Sequence, residues 1–250
     1  MKKIMMILAA LVLLLSAAYA EENDLLARIR QKGEIVVATE GAWAPWTYHD
    51  ENDQLVGFDV EVAQGVAAKL GVTAKFVETE WDGIFAGLDA GRYDMAANGV
   101  EVTDERAMKY DFSTPYGYIR TALIVRGDRE DIASFEDLAG KRTANSISST
   151  YMLLAESYGA TAMGVDTLDA GDGASGRADA TLNAEVSFYD YMNVHPMQIS
   201  RSLRRQTKLP KWRCRFAKKR TAPACWRRSI RRSMSCARKV IDAHFRKVLV

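Results

Sequence analysis

The chain has 250 residues and a formal net charge of +2, an average that conceals a division. Residues 1–196 carry about −15 and residues 197–250 about +17, and all three cysteines (Cys214, Cys225, Cys236) lie in the basic segment. The length limits the mature chain to one large domain or two lobes of about 100 residues each, and an acidic, cysteine-free body argues against a nucleic-acid-binding protein.

At the start, Lys2 and Lys3 precede an apolar run from Ile4 to Leu15 and a small-x-small site at Ala18-Tyr19-Ala20. This is the pattern of a secretory signal peptide cleaved after Ala20, which directs the mature protein to the periplasm. A membrane anchor would need about 20 apolar residues, more than this run offers. A helical lead-in from Asp24 to Gln31 is followed by a buried strand, Glu34 to Thr39, bounded by Gly33 and Gly41. Phe58, Val62, Val66 and Leu70 mark one face of a helix that Gly71 stops. Val72 to Val77 reads as a second strand, Ile84 to Ala90 as a short helix and Tyr93 to Ala97 as a third strand. A second series of this kind opens at Ala122 to Val125 and continues through Asp137 to Gly140, Lys141 to Asn145 and a helix from about Ser149. Strands alternating with helices imply βαβ units, parallel sheets and ligand sites at the carboxyl ends of strands. The expected fold is α/β and two-lobed, each lobe a mostly parallel sheet flanked by helices.

The segment Glu101-Val-Thr-Asp-Glu-Arg106 is the most informative. Thr103 is suited to cap a helix, with Asp104 and Glu105 in its first turn. Arg106 then stands where the helix dipole disfavours a cation unless an anion offsets it. A ligand carboxylate gripped by the guanidinium would do so; so would Asp104 or Glu105 beside a surface arginine.

Eight segments follow in order: Glu40-Gly-Ala-Trp43-Ala-Pro45-Trp46, Gly57-Phe-Asp59, Trp81-Asp-Gly83, Thr103 to Arg106, Asp111 to Tyr116, Gly140-Lys141, Ser148-Ser-Thr-Tyr151 and Gly176-Arg-Ala-Asp179. Taken together, they resemble the polar-amino-acid-binding proteins of ABC importers, solute-binding family 3. The resemblance implies a periplasmic-binding-protein fold of type II: residues 21–119 as the first lobe, 120–208 as the second, and 209–250 returning to the first. It implies capture of one polar amino acid, cystine among the candidates, for delivery to a membrane permease. It also implies that Arg106 binds the α-carboxylate, aided by the turn of Ser149, Thr150 and Tyr151. Glu40 and Glu101 match cleft positions suited to an ammonium or a polar side chain. Trp43 and Trp81 match positions that bracket the ligand side chain, where an aromatic face also attracts a cation; core packing is the alternative for both. Asn98 and Gly99 match the cleft floor. The family's ammonium-binding Asp is replaced by Ala184, so Glu185 or Glu101 is expected to substitute, while Asp179 is expected to be structural. The expected partners are the amino acid and the permease, with no cofactor, metal or nucleic acid, and the protein is expected to be a monomer.

The tail departs from this pattern. Arg and Lys fill a third of residues 197–250, a composition expected to stay disordered. From Met197 onward, codons formed from the last base of one codon and the first two of the next can read as an acidic-to-neutral, cysteine-free string. It includes SLLEAINQAIDELRAEG, which has helical apolar spacing and a Gly stop. The tail therefore reads as out of frame, and Ala170 to Ser175 can similarly yield a helical QAMELL. Two rival functions stand beside the resemblance. A periplasmic dehydratase on the same fold would need a positioned acid or base such as Glu40, Glu101 or Glu185. The tail taken literally would suggest nucleic-acid binding.

Overall fold

The computed structural model describes residues 25–125, 129–165 and 177–194, with the backbone of 202–205, 211–212 and 215–217. The expected signal peptide, the segment Ala170 to Ser175 and residues 218–250 lie outside the described residues.

Helix α1 (Leu25–Lys32) leads into strand β1 (Glu34–Thr39), whose bounds are those expected from its apolar run. Alternate residues of β1 serve different clusters: Ile35 and Val37 pack with Ile29, Phe58 and Val62, while Val36 and Ala38 pack with Trp81, Ile84 and Leu88. A strand covered on both faces loses the polar alternation of a half-exposed one, which is why it reads as continuously apolar. Three short strands, β2 (Ala42–Trp43), β3 (Thr47–His49) and β4 (Leu55–Val56), form an antiparallel meander. Gly57 then opens helix α2 (Phe58–Leu70) at φ 129°, where an added Cβ would stand 2.3 Å from the Trp46 carbonyl oxygen. Only glycine fits that combination of conformation and space. Gly71, in the left-handed conformation, ends the helix as expected.

Strand β5 (Thr73–Glu78) and helix α3 (Trp81–Asp89) follow, then β6 (Met95–Ala96), α4 (Asp104–Lys109), β7 (Tyr110–Phe112), β8 (Gly117–Tyr118) and β9 (Thr121–Val125). A 3-10 turn at Phe135–Leu138, closed by a Ser134–Asp137 capping box, precedes β10 (Arg142–Asn145), α5 (Thr150–Ser157) and β11 (Thr161–Gly164). Strand β12 (Ala180–Ala184) runs into α6 (Glu185–Val194), and β13 (Ser202–Arg205), β14 (Lys211–Trp212) and β15 (Arg215–Ala217) complete the described elements.

The strands build two five-stranded sheets, ordered β5-β1-β6-β15-β7 and β11-β10-β12-β9-β13. In each, the first three strands in sheet order pair in parallel, as the βαβ pattern requires, and the other side is antiparallel: β15 against β6 and β7, and β9 against β12 and β13. The sheets are therefore mixed. The second is packed by Leu123, Val125 and Leu182 against Phe135, Leu138 and Ala155. Asp179 is structural here: it accepts from Arg129 at 2.8 Å and from the Arg142 backbone N–H at 2.8 Å, tying the approach of β12 to β10.

Candidate ligand-binding cleft

The carboxyl ends of β1, β6, β10 and β12 converge on one cleft of about 720 Å³, counted to its open mouth. Glu40 follows β1 directly. Its carboxyl accepts from Asn98 Nδ2 and from the backbone N–H of Trp81, at the start of α3, so one side chain joins the end of β1 to a helix N-terminus. Burial pushes the Glu40 carboxyl up to about 7; the Asn98 bond opposes the rise, nearby Asp82 adds to it, and the Trp81 N–H opposes it. Asn98 is fully buried and does not line the cleft. Its Oδ1 accepts from the Glu40 N–H at 2.9 Å and from the Thr39 hydroxyl at 3.1 Å. Beneath the next residue, the buried Asp59 carboxyl accepts from the Gly99 N–H and, at 2.8 Å, from the Tyr116 hydroxyl, fixing the loop that carries Gly99 and Glu101.

Thr103 caps α4 as expected, accepting from the Arg106 N–H at 3.1 Å. The Arg106 guanidinium stands 5.4 Å from the Trp81 ring centre and 5.0 Å from that of Phe85, and donates to the Glu101 carbonyl at 3.3 Å. Its other amino group reaches the Ser148 carbonyl, 2.7 Å away on the opposite side of the cleft. Two of its donors are thus in use, and the planar fork is held by two aromatic rings. Arg106 stands at the rim rather than in the lining.

The facing wall is built from Asn145 at the end of β10, the turn Ser146 to Tyr151 at the head of α5, and Thr181 and Asn183 on β12. Ser149 caps α5, accepting from the Met152 N–H at 3.1 Å. Burial, with Glu101 and Glu40 nearby, pushes the Tyr151 phenol up. Hydrogen bonds cross the cleft from Trp43 Nε1 to Asn183 Oδ1 at 3.0 Å and from the Ser148 N–H to Asp82 at 3.1 Å, while outside the lining the buried Trp46 Nε1 donates to Ser187 Oγ at 2.8 Å.

Of the residues expected at the site, the structure brings Glu40, Trp43, Trp81, Gly99, Glu101, Ser149, Thr150 and Tyr151 into one lining. Glu185 is not among them. As the first residue of α6 it accepts from the Tyr189 hydroxyl at 3.2 Å, one helical turn on. Asn145 and Asn183 were not anticipated, although both close strands whose carboxyl ends face the cleft. Among the described residues no group of three His, Cys, Asp or Glu side chains is placed to hold a metal ion, and no helix is long and apolar enough to cross a membrane.

Residues 35–247 match the family model of bacterial extracellular solute-binding proteins, family 3. The chain belongs to this family. It is similar to a probable amino-acid ABC transporter-binding protein of Haemophilus influenzae, 38% identical over 182 residues that make up 72% of this chain and 71% of that one. It is also similar to the L-cystine-binding protein TcyA of Bacillus subtilis, 42% identical over 176 residues, or 69% of this chain and 65% of TcyA. Among solved structures, an ancestral arginine-binding protein bound to arginine superposes with a TM-score of 0.72 at 28% identity, covering 83% of this chain and 93% of that one. The family 3 fold accounts for both mixed sheets and for the position of the cleft. These relatives are named as binding proteins.

Proposed function

We propose that this family 3 protein captures a single amino acid in the periplasm, after cleavage at Ala20, and presents it as a monomer to the permease of an ABC importer. The observation that carries the reading is Arg106. Its guanidinium is clamped over Trp81 and Phe85 and faces the head of α5 through Ser148. Among the described residues, three of its five N–H donors are left for a carboxylate, beside the helix start at Thr150. Glu101, on the same loop and lining the cleft, takes the α-ammonium in place of the acid absent at Ala184. Trp43 and Trp81 bracket the side chain. The two lobes meet at residues 119–120, with the chain returning to the first after residue 208.

A calorimetric screen of the twenty standard amino acids and cystine tests this. At least one should bind, and Arg106→Ala should weaken that ligand by roughly 2–5 kcal/mol while leaving the fold intact, because its carboxylate loses a charged partner. A change below about threefold, less than 1 kcal/mol, would return Arg106 to the role of a surface residue.

The frame of residues 197–250 is part of the same reading. The Haemophilus match leaves similar shares of both chains unpaired, as it would if one end of this chain were translated from another frame. The family match nevertheless runs across the tail to residue 247, so the gene itself is the arbiter. Resequencing should find a single-base slip near codons 196–197; a clean read in the frame as written removes this account.

A further inference from the structure

Three hydrogen bonds from one wall of the cleft converge on a single residue of the other. The Ser148 backbone N–H and hydroxyl both donate to Asp82 Oδ1, the first at 3.1 Å, and the Ser148 carbonyl accepts from Arg106 at 2.7 Å. Every polar group of Ser148 is thus taken by α3 or α4. Both helices belong to the first sheet: α3 packs on it through Trp81, Ile84 and Leu88, and α4 runs into its edge strand β7. Ser148 directly precedes the cap of α5, which packs on the second sheet through Ala155. Neither Asp82 nor Ser148 lines the cleft, so this contact is protein to protein whatever ligand lies inside. The helix dipole accounts for an acid in the first turn of α3. It does not account for the reach of that acid across the cleft. Both residues are exposed, and hydrogen bonds and charges at the surface compete with water, so the contact is too weak to hold the walls together by itself.

We propose that Asp82 is a latch residue: by holding Ser148 it slows the release of the bound amino acid, by the same factor for every amino acid, and takes no part in choosing among them. This rests on the amino-acid-binding reading, in which the ligand enters between the walls before they meet. The latch bonds exist only once the walls have met. They therefore leave the rate of entry unchanged and lengthen the stay. Because the latch touches no ligand atom, its loss multiplies every dissociation constant alike, whereas a change in the lining alters the ratios between ligands. Asp82 is also a positioning residue for Arg106. It retains Ser148, whose carbonyl is one of the two acceptors that fix the guanidinium fork. That effect too is common to all amino acids, since all carry the same α-carboxylate.

Release of radiolabelled arginine, cystine and glutamine into excess unlabelled ligand tests this, with entry rates and dissociation constants measured on the same preparations. The full chain is used, in whichever frame of residues 197–250 binds in the screen above. Asp82→Ala should speed release on the order of fivefold, the worth of a charge-assisted hydrogen bond at an exposed place. The factor should be the same for each of the three that binds, and the entry rate should stay unchanged. The Asp82 charge also acts on Glu40, so the second variant is Ser148→Ala, which leaves that charge in place. It removes the hydroxyl bond alone and should speed release by about half as much on a logarithmic scale, with the urea midpoint unchanged. The double variant should match Asp82→Ala, because a hydroxyl that has lost its acceptor has nothing further to lose. Asp82→Asn, which keeps an acceptor without the charge, should fall between Asp82→Ala and the unmodified protein. Unchanged release in Asp82→Ala overturns the proposal. So does a factor that differs between ligands, which would make Asp82 a specificity residue, or effects of the two single variants that simply add. Slower entry together with a lower urea midpoint overturns it by returning Asp82 to the support of its own helix. Absence of binding by every amino acid in the unmodified protein is a different failure, which removes the amino-acid-binding reading and this proposal together.

Discussion

Asn98 has no exposed surface, and its amide connects β1, β3 and the Glu40 carboxyl through hydrogen bonds to Thr39, Glu40 and, at 3.4 Å, Thr47. Truncation to alanine would leave the Glu40 N–H and carboxyl without these partners in a buried place. Asn98→Ala should therefore destabilise the protein by about 1–3 kcal/mol, read as a lower urea midpoint, and should weaken ligand binding through the displaced Glu40. Unchanged stability would show that water replaces the amide at no cost. At this scale the sequence was informative where a residue type contradicts its surroundings. Arg106 in a first helical turn was such a case, and it proved to be stacked on Trp81 and Phe85. Asn145 and Asn183 gave no such signal, because an asparagine at a strand end looks like any turn residue until the strands are brought together. Glu185 opens α6, directly after the strand that ends at Ala184, and lies outside the lining.

Helix α3 carries Trp81 at one end and meets Tyr93 along its side through Gly87. A Cβ at that glycine would stand 1.9 Å from the Tyr93 ring. Alanine is the better helix former by almost 1 kcal/mol, yet here the ring must move. Gly87→Ala should destabilise by about 1–3 kcal/mol through overpacking; a urea midpoint that rises instead would mean that propensity wins and the ring yields freely. Elements long enough to show a period were legible. The apolar run of β1 and the Phe58–Leu70 helix face match the structure. The β2–β3–β4 meander was not, since strands of two or three residues are too short for a two-residue alternation to recur. Strand β12 was missed because ATLNA has one β-branched residue, Thr181, and no aromatic side chain to mark a strand, although it lies centrally in its sheet.

For the whole molecule, the division of charge matters more than its sum. The backbone of the tail reaches both sheets, β13 beside β9 and β15 between β6 and β7, although residues 197–250 bring about +17. A chain carrying residues 197–250 in the shifted frame should be the more stable of the two, with a higher urea midpoint at equal ionic strength; equal midpoints would mean that the written tail packs as well as its alternative. The bonds spanning the cleft have a consequence of another kind. Trp43, in the lining, places its indole N–H on Asn183 of the facing wall, whereas the buried Trp46 bonds Ser187 outside the lining. Opening that parts Trp43 from Asn183 transfers that N–H from protein oxygen to water, and indole emission follows the polarity around the ring. The protein thus carries its own optical gauge, with no label attached. Ligand addition should move the emission to shorter wavelength, and Trp43→Phe should abolish most of that shift while Trp46 and Trp81 remain. With the gauge in place, stopped-flow traces would time the closing of the cleft separately from the arrival of the ligand.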